Sequence, residues 1–155
     1  MAKAYRRSPT RKFINRIVRA FDSIGLGART TYMLTVTGRK SGLPRTTPIT
    51  AVVDGDTRWL VAPYGDVEWV KNARVAGRVT LTRGRRSETV GLTELGPVES
   101  APVLKTYVQN VAITRPYFDA RPDSPLEDFV AEASRHPVFL VRLAGEPAAE
   151  KAGVA

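Results

Sequence analysis

Gly38-Arg39-Lys40-Ser41-Gly42, followed by Arg45, packs two glycines, three cations and a hydroxyl into one short span. Glycines let a backbone approach a ligand closely. The cations and the Ser41 hydroxyl and amide are donors suited to a phosphate or carboxylate. Taken alone, these residues fit a solvated basic hairpin loop equally well. Two other segments concentrate aromatic and turn-forming residues. One is Ala62-Pro63-Tyr64-Gly65, running on through Val67, Trp69, Val70, Lys71 and Asn72; the other comprises Tyr107 and Thr114-Arg-Pro-Tyr117-Phe118. Trp69 reads first as a core anchor, and Tyr117 and Phe118 read equally as packing between helices.

What is missing narrows the chemistry. The chain has no cysteine, so a thiolate nucleophile, a thiolate zinc site and a disulfide framework are excluded. Its one histidine, His136, precedes Pro137 and reads as a polar residue closing a helix before a strand. No serine–histidine–acid set or paired-carboxylate signature argues for hydrolysis.

The elements that must position these residues follow from periodicity. Ser8-Pro9 opens a basic amphipathic helix whose apolar face is Phe13, Ile14, Ile17, Val18, Phe21 and Ile24. From Thr31 the period becomes two, so Tyr32, Leu34 and Val36 mark a first strand. A second is expected over Arg45–Val53, with Pro48 implying an edge, bulge or irregular start. Asp54-Gly55-Asp56 turns into a third strand, Arg58–Ala62. Asp66 is placed to cap a short helix that Gly77 stops. Val79 and Leu81 mark a fourth strand, Gly84 a turn among Arg83, Arg85 and Arg86, and Thr89–Leu95 a fifth. Helices are expected from about Ala101 to Val111 and from the capping-box pattern at Ser124 to His136. Val138–Leu143 is the last strand. Mainly antiparallel hairpins with interposed helices point to an α+β fold built on a small closed or split barrel of about six strands.

A chain of 155 residues suits one domain. With 43% hydrophobic and 25% charged residues, it has the balance of a folded globule. Twenty-four Lys and Arg against 15 acids leave a formal charge of +9, which favours an anionic partner. No run of about 18 apolar residues offers a membrane span. Arg16 and Arg19 interrupt the basic N-terminus before a signal core can form, so a cytoplasmic location is expected.

The run Leu34-Thr-Val-Thr-Gly-Arg-Lys-Ser-Gly-Leu-Pro-Arg-Thr-Thr-Pro48 resembles the deazaflavin (F420)-dependent nitroreductase family of actinobacteria. The resemblance extends over about Arg29 to Leu143. It implies a split β-barrel like that of the pyridoxamine-phosphate-oxidase-like flavoproteins. It also implies that the protein is an F420H2-dependent reductase, passing hydride to a quinone, nitro compound or activated alkene. On that resemblance Gly38, Arg39, Lys40, Ser41, Gly42, Arg45, Thr47 and Pro48 hold the anionic cofactor arm. Ala62, Pro63, Tyr64, Gly65, Val67, Trp69, Val70, Lys71 and Asn72 lie along the deazaflavin ring. Tyr117 and Phe118 are the counterparts of residues that wall the acceptor pocket, and Tyr64, Tyr117 or water supplies the proton. The chain departs from the family at Pro63-Tyr64, where similar proteins carry a serine or asparagine followed by glycines.

The implied organisation is an N-terminal basic helix over residues 1–28, a deazaflavin-binding barrel over 29–143 and a tail over 144–155. A related barrel using FMN, or a non-catalytic cofactor- or lipid-binding protein, is the alternative. No nucleic-acid-binding signature accompanies the charge, so that partner is not expected. The first helix allows a peripheral contact with an anionic membrane. Dimerisation is common among split barrels, so a homodimer is an open expectation.

Overall fold

The computed structural model describes residues 30–143. The expected N-terminal helix and C-terminal tail therefore lie outside the described residues. Within them, β1 (Thr31–Thr37), β2 (Pro44–Asp54), β3 (Thr57–Val61), β4 (Arg78–Arg83), β5 (Arg86–Glu94) and β6 (Val138–Arg142) form a closed barrel in the order β1-β2-β3-β6-β5-β4. Every pairing is antiparallel. Helix α1 (Glu68–Ala76) joins β3 to β4. Helix α2 (Pro97–Asn110), a 3-10 segment (Ala112–Tyr117) and α3 (Leu126–Glu132) carry the chain from β5 across to β6.

Strand alternation divides the core in two. Leu34, Val36, Ile49, Leu60, Leu81, Val90 and Phe139 fill the barrel, and Val70 and Ala73 of α1 join them. The neighbours of Leu60 and Phe139 along their strands, Val61 and Val138, point outward and meet Leu104, Tyr107, Val108 and Phe129 beneath the helices. A period of two thus serves two cores at once, because β3 and β6 are covered on both faces. Pro48 pairs with Met33 of β1, while β3 joins β2 only from Ala51. The proline sits in the half of β2 that lacks that second neighbour, where its missing N–H costs no rung.

Several local expectations are corrected. β2 begins at Pro44, which pairs with Thr37 of β1, and β5 begins at Arg86, because Gly84, at φ 60°, allows a tight β4–β5 turn and strand pairing starts at Arg83–Arg86. Helix α2 begins at Pro97, not Ala101. Proline is favoured at the first helical position, where its absent N–H had no partner to lose. Pro102 lies inside that helix on an exposed side. Asp66 does not cap α1: the N-cap is Val67, without a side-chain bond, and Asp66 pairs with Arg74 at 3.0 Å. Nor does Ser124 form a capping box, since its hydroxyl accepts the Arg121 N–H at 2.8 Å and the N-cap is Pro125.

Candidate functional site

The basic loop between β1 and β2 is pinned to α1. The Asn72 side-chain oxygen accepts the Arg39 backbone N–H at 3.1 Å and its guanidinium at 2.8 Å. The same guanidinium nitrogen meets Glu68 at 2.6 Å. Asn72 is buried, so its amide is committed to the loop. Within the loop the Gly38 amide donates to the Leu43 carbonyl at 2.8 Å, and a side chain at Gly38 would strike the Ser41 hydroxyl at 2.7 Å. Ser41 in turn accepts the Leu43 N–H at 3.1 Å. Gly42 differs: at φ 72° it needs glycine, yet no atom lies within 4 Å of where a Cβ would stand. Packing shapes one glycine and backbone conformation the other. Lys40, Ser41 and Arg45 are exposed, Thr47 is half-buried and Pro48 is buried. Among the described residues neither Lys40 nor Arg45 has an ion-pair partner.

The β3–α1 loop enters the same helix from the other side. Gly65 N–H donates to the Ala62 carbonyl at 3.2 Å, closing a turn with Pro63 and Tyr64 at its centre. Proline at the second position and no positive φ at Tyr64 fit a type I turn. Ala62 and Val70 are fully buried, backbone included, which leaves neither a surface for a ligand. Tyr64, Val67 and Trp69 are half-buried, and Lys71 is exposed. Trp69 packs on Phe139 with ring centroids 5.7 Å apart. That contact agrees with its reading as an anchor. Arg74 closes the assembly by binding Asp66 before the helix and Glu94 of β5, the latter through two bonds of 2.8 Å.

The fold brings the two candidate tyrosines together. Tyr64 and Tyr117 meet edge to face, with centroids 4.7 Å apart and planes at 79°. Both are half-buried. Tyr107 lies behind them, fully buried. Burial, reinforced by nearby Tyr64, pushes its phenol well above the ordinary tyrosine value, and a hydrogen bond with Thr114 opposes that only in part. Tyr107 therefore stays a neutral phenol and contributes packing. Phe118 is buried too and stacks on His136 at 3.9 Å.

That stack exposes what sequence reasoning missed. His136 is buried, with Nδ1 2.8 Å from the Pro63 carbonyl and Nε2 2.9 Å from Glu132 Oε1. A carbonyl only accepts, so Nδ1 carries hydrogen and donates. Glu132 is equally buried, and its two oxygens accept the backbone N–H groups of Asp119 at 3.2 Å and Ala120 at 2.8 Å. Burial holds the imidazolium below its ordinary value, against Pro63 and Glu132, which favour it. The four-residue separation of Glu132 and His136 was a usable signal, since such residues share a helix face. The 73-residue separation of His136 from Pro63 left none.

Among the described residues no helix is long and apolar enough to cross a membrane, and no cluster of side chains is suited to a metal.

The family described as F420H(2)-dependent quinone reductase matches residues 10–121. No curated protein matches the chain. Among solved structures, a protein of unknown function from Agrobacterium tumefaciens is 17% identical with a TM-score of 0.55, over 81% of this chain; this chain spans 55% of that protein's length. A structure described as an F420-H2 dependent reductase, FDR-A, is 24% identical over 74% of this chain and 95% of its own, at TM-score 0.52. Another, described as a domain-swapped dimer, is 22% identical over 85% of this chain and 96% of its own, at TM-score 0.53. The three structures share the fold of this chain.

Proposed function

The chain belongs to the F420H(2)-dependent quinone reductase family, and on that premise we propose how its residues serve the reaction. It is an oxidoreductase whose hydride donor is reduced F420. The observation that carries the site assignment is the meeting of two loops on α1, joined through Arg39, Glu68 and Asn72. The donor set fits the cofactor: Lys40, Arg45 and the Ser41 hydroxyl offer cations and a donor beside an open glycine. The phosphate and glutamate arm of F420 is anionic, so these groups complement it.

In this reading Lys40 and Arg45 bind the arm, with Gly38, Ser41, Gly42, Thr47 and Pro48 shaping its bed. Arg39 and Asn72 hold that loop in place. The turn at Pro63-Tyr64-Gly65, with Val67, Trp69 and Lys71, lines the ring, while Ala62 and Val70 anchor the segment in the barrel. Bound F420H2 supplies the hydride, and the protein supplies position and water exclusion. Tyr64 and Tyr117 wall the acceptor side, and a phenol of that pair delivers the proton to the reduced acceptor. An aromatic wall of this kind suits an electron-poor acceptor: a quinone, a nitro compound or an activated alkene.

Residues 29–143 form the deazaflavin-binding unit in this proposal. The basic helix read from Ser8 to Ile24 adds a peripheral contact with anionic membrane on the cytoplasmic side, and a homodimer is the assembly, as one structurally similar protein is described as a domain-swapped dimer. The decisive measurement is binding of F420, FMN and NADPH side by side. F420 should bind most tightly, and equal or tighter FMN binding overturns the cofactor assignment. Vesicle sedimentation tests the membrane contact: the full chain should bind anionic vesicles at low salt, and failure to do so removes it.

A further inference from the structure

The Pro63–Tyr64 peptide is the middle peptide of the Ala62–Gly65 turn. Type I and type II turns differ mainly by rotation of that plane, and type II requires a positive φ at its third residue. Here the third residue is Tyr64, which cannot take that φ cheaply. The Pro63 carbonyl is also held directly, by His136 Nδ1 at 2.8 Å. The peptide is trans, so its N–H points opposite to its carbonyl. Fastening Pro63 O to His136 thus aims the Tyr64 amide away from His136. Gly65 completes the constraint: its φ is 90°, and a Cβ there would press on the Arg135 carbonyl at 3.3 Å.

His136 cannot drift from this position. Glu132 binds its far nitrogen at 2.9 Å, and Phe118 stacks on its face at 3.9 Å. Glu132 is itself fixed by the Asp119 and Ala120 amides. Those amides directly follow Tyr117 and Phe118 in the chain. One buried carboxylate therefore ties the Tyr117 segment to the histidine that ties down Tyr64. The two rings that meet at 4.7 Å are set by one network.

We propose that His136, held by Glu132, is a positioning residue for the hydride-transfer site: it fixes the Pro63–Tyr64 peptide plane so that the Tyr64 amide faces the deazaflavin ring and the Tyr64 phenol faces Tyr117. This rests on the cofactor reading above. His136 touches neither cofactor nor acceptor and acts through Pro63. Its role goes beyond filling space, because a fold could bury Phe118 against any ring, while only a donor at the Nδ1 position can hold the carbonyl.

Two substitutions separate these roles. Asparagine places its amide nitrogen near the Nδ1 position, keeping the bond to Pro63 and dropping Glu132. Glutamine reaches the Nε2 position, keeping Glu132 and dropping Pro63. F420 affinity is read by fluorescence titration, together with melting temperature and the acceptor kcat and KM. We expect His136→Asn to bind F420 within about threefold of wild type and His136→Gln to bind about tenfold more weakly, the loss of one well-placed hydrogen bond. Equal affinity of the two variants overturns the proposal, whatever their melting temperatures. If either variant fails to fold, the wild-type chain decides: on adding F420, the 15N–1H resonance of the Tyr64 amide and the His136 ring resonances should both shift, and a silent pair overturns the proposal. Wild-type protein that ignores F420 removes the cofactor reading and this inference together. Wild-type binding with an unaffected His136→Gln removes this inference alone.

Discussion

The two ends of the barrel both carry exposed cations but differ in what stands beneath them. At the α1 end, Lys40 and Arg45 stand exposed over a loop whose shape comes from backbone bonds and glycines. At the far end, beside the β2–β3 and β4–β5 turns, Arg58 is drawn into the protein while Arg83, Arg85 and Arg86 stay exposed. Arg58 binds Glu88 through bonds of 2.7 and 3.1 Å and lies 5.7 Å from the Tyr32 ring centre. Arg83 lies 5.3 Å from the same ring. Tyr32 is buried and plugs this mouth. A basic residue is therefore no guide to a ligand site by itself. What distinguishes Arg58 from Lys40 and Arg45 is that the protein has already supplied its counter-charge. Arg39 shows the same rule at close range, for Glu68 neutralises it within the cradle loop.

The sharpest way to break this comparison is a charge-matched pair of variants. Lys40→Ala/Arg45→Ala and Arg85→Ala/Arg86→Ala each remove two positive charges. If contact matters, the first should raise the F420 dissociation constant about 100-fold or more, from two charge-assisted contacts worth about 1.5–3 kcal/mol each. The second should change it about twofold at most. Equal losses in a titration at fixed salt would mean that overall charge steers the cofactor and that the loop has no special part.

The next largest effect concerns the pin beneath the loop. Asn72→Ala leaves the Arg39 amide without its acceptor and frees the loop from α1. Losing a buried hydrogen-bond partner costs about 1–3 kcal/mol, which a denaturant melt will read. F420 affinity should fall about tenfold as the loop loosens. Full stability with weakened binding would mean that Asn72 meets the cofactor directly, sharpening the assignment in the opposite direction.

A smaller change is expected at the tyrosine pair. Tyr117→Phe keeps the edge-to-face contact and removes only the hydroxyl. F420 affinity should stay within about twofold, while acceptor kcat falls by a factor on the order of ten if this phenol delivers the proton. Tyr64→Phe is the matching test. Unchanged kcat in both variants would hand the proton to water and leave the pair as a wall.

These outcomes bear on what the chain disclosed before its structure was known. Alternation in Tyr32–Val36 and the turn at Asp54-Gly55-Asp56 made the barrel legible, because strand patterns are local. The basic glycine loop stood out as a candidate because its glycines, cations and Ser41 are neighbours in sequence. Contacts closed over long separations left no trace. Nothing local to Arg39 announces Glu68 or Asn72, and His136 looked like an ordinary helix end. The start of α2 was missed although the signal was local, since Gly96-Pro97 puts proline at the first helical position.

The smallest expected effect lies at the plugged end, and pH reveals it. Hydrogen bonding to Arg58 holds the Glu88 carboxylate below its ordinary value, helped by the charge of Arg58 and Arg83 and opposed by partial burial. A carboxyl group depressed in the folded state stabilises the fold above its unfolded pKa. That contribution is lost as pH falls through the folded pKa. Wild-type protein should therefore lose more stability than Glu88→Gln on acidification below about pH 4.3, the usual glutamate value. Glu88 is 45% exposed, so solvent screens the pair and the difference should be about 1 kcal/mol or less. Added salt should shrink it further. At neutral pH the variant should bind F420 like wild type, since the plug and the cradle lie at opposite mouths. A shifted F420 affinity in Glu88→Gln would show that the barrel transmits strain between its ends, and the division of labour between them would fail.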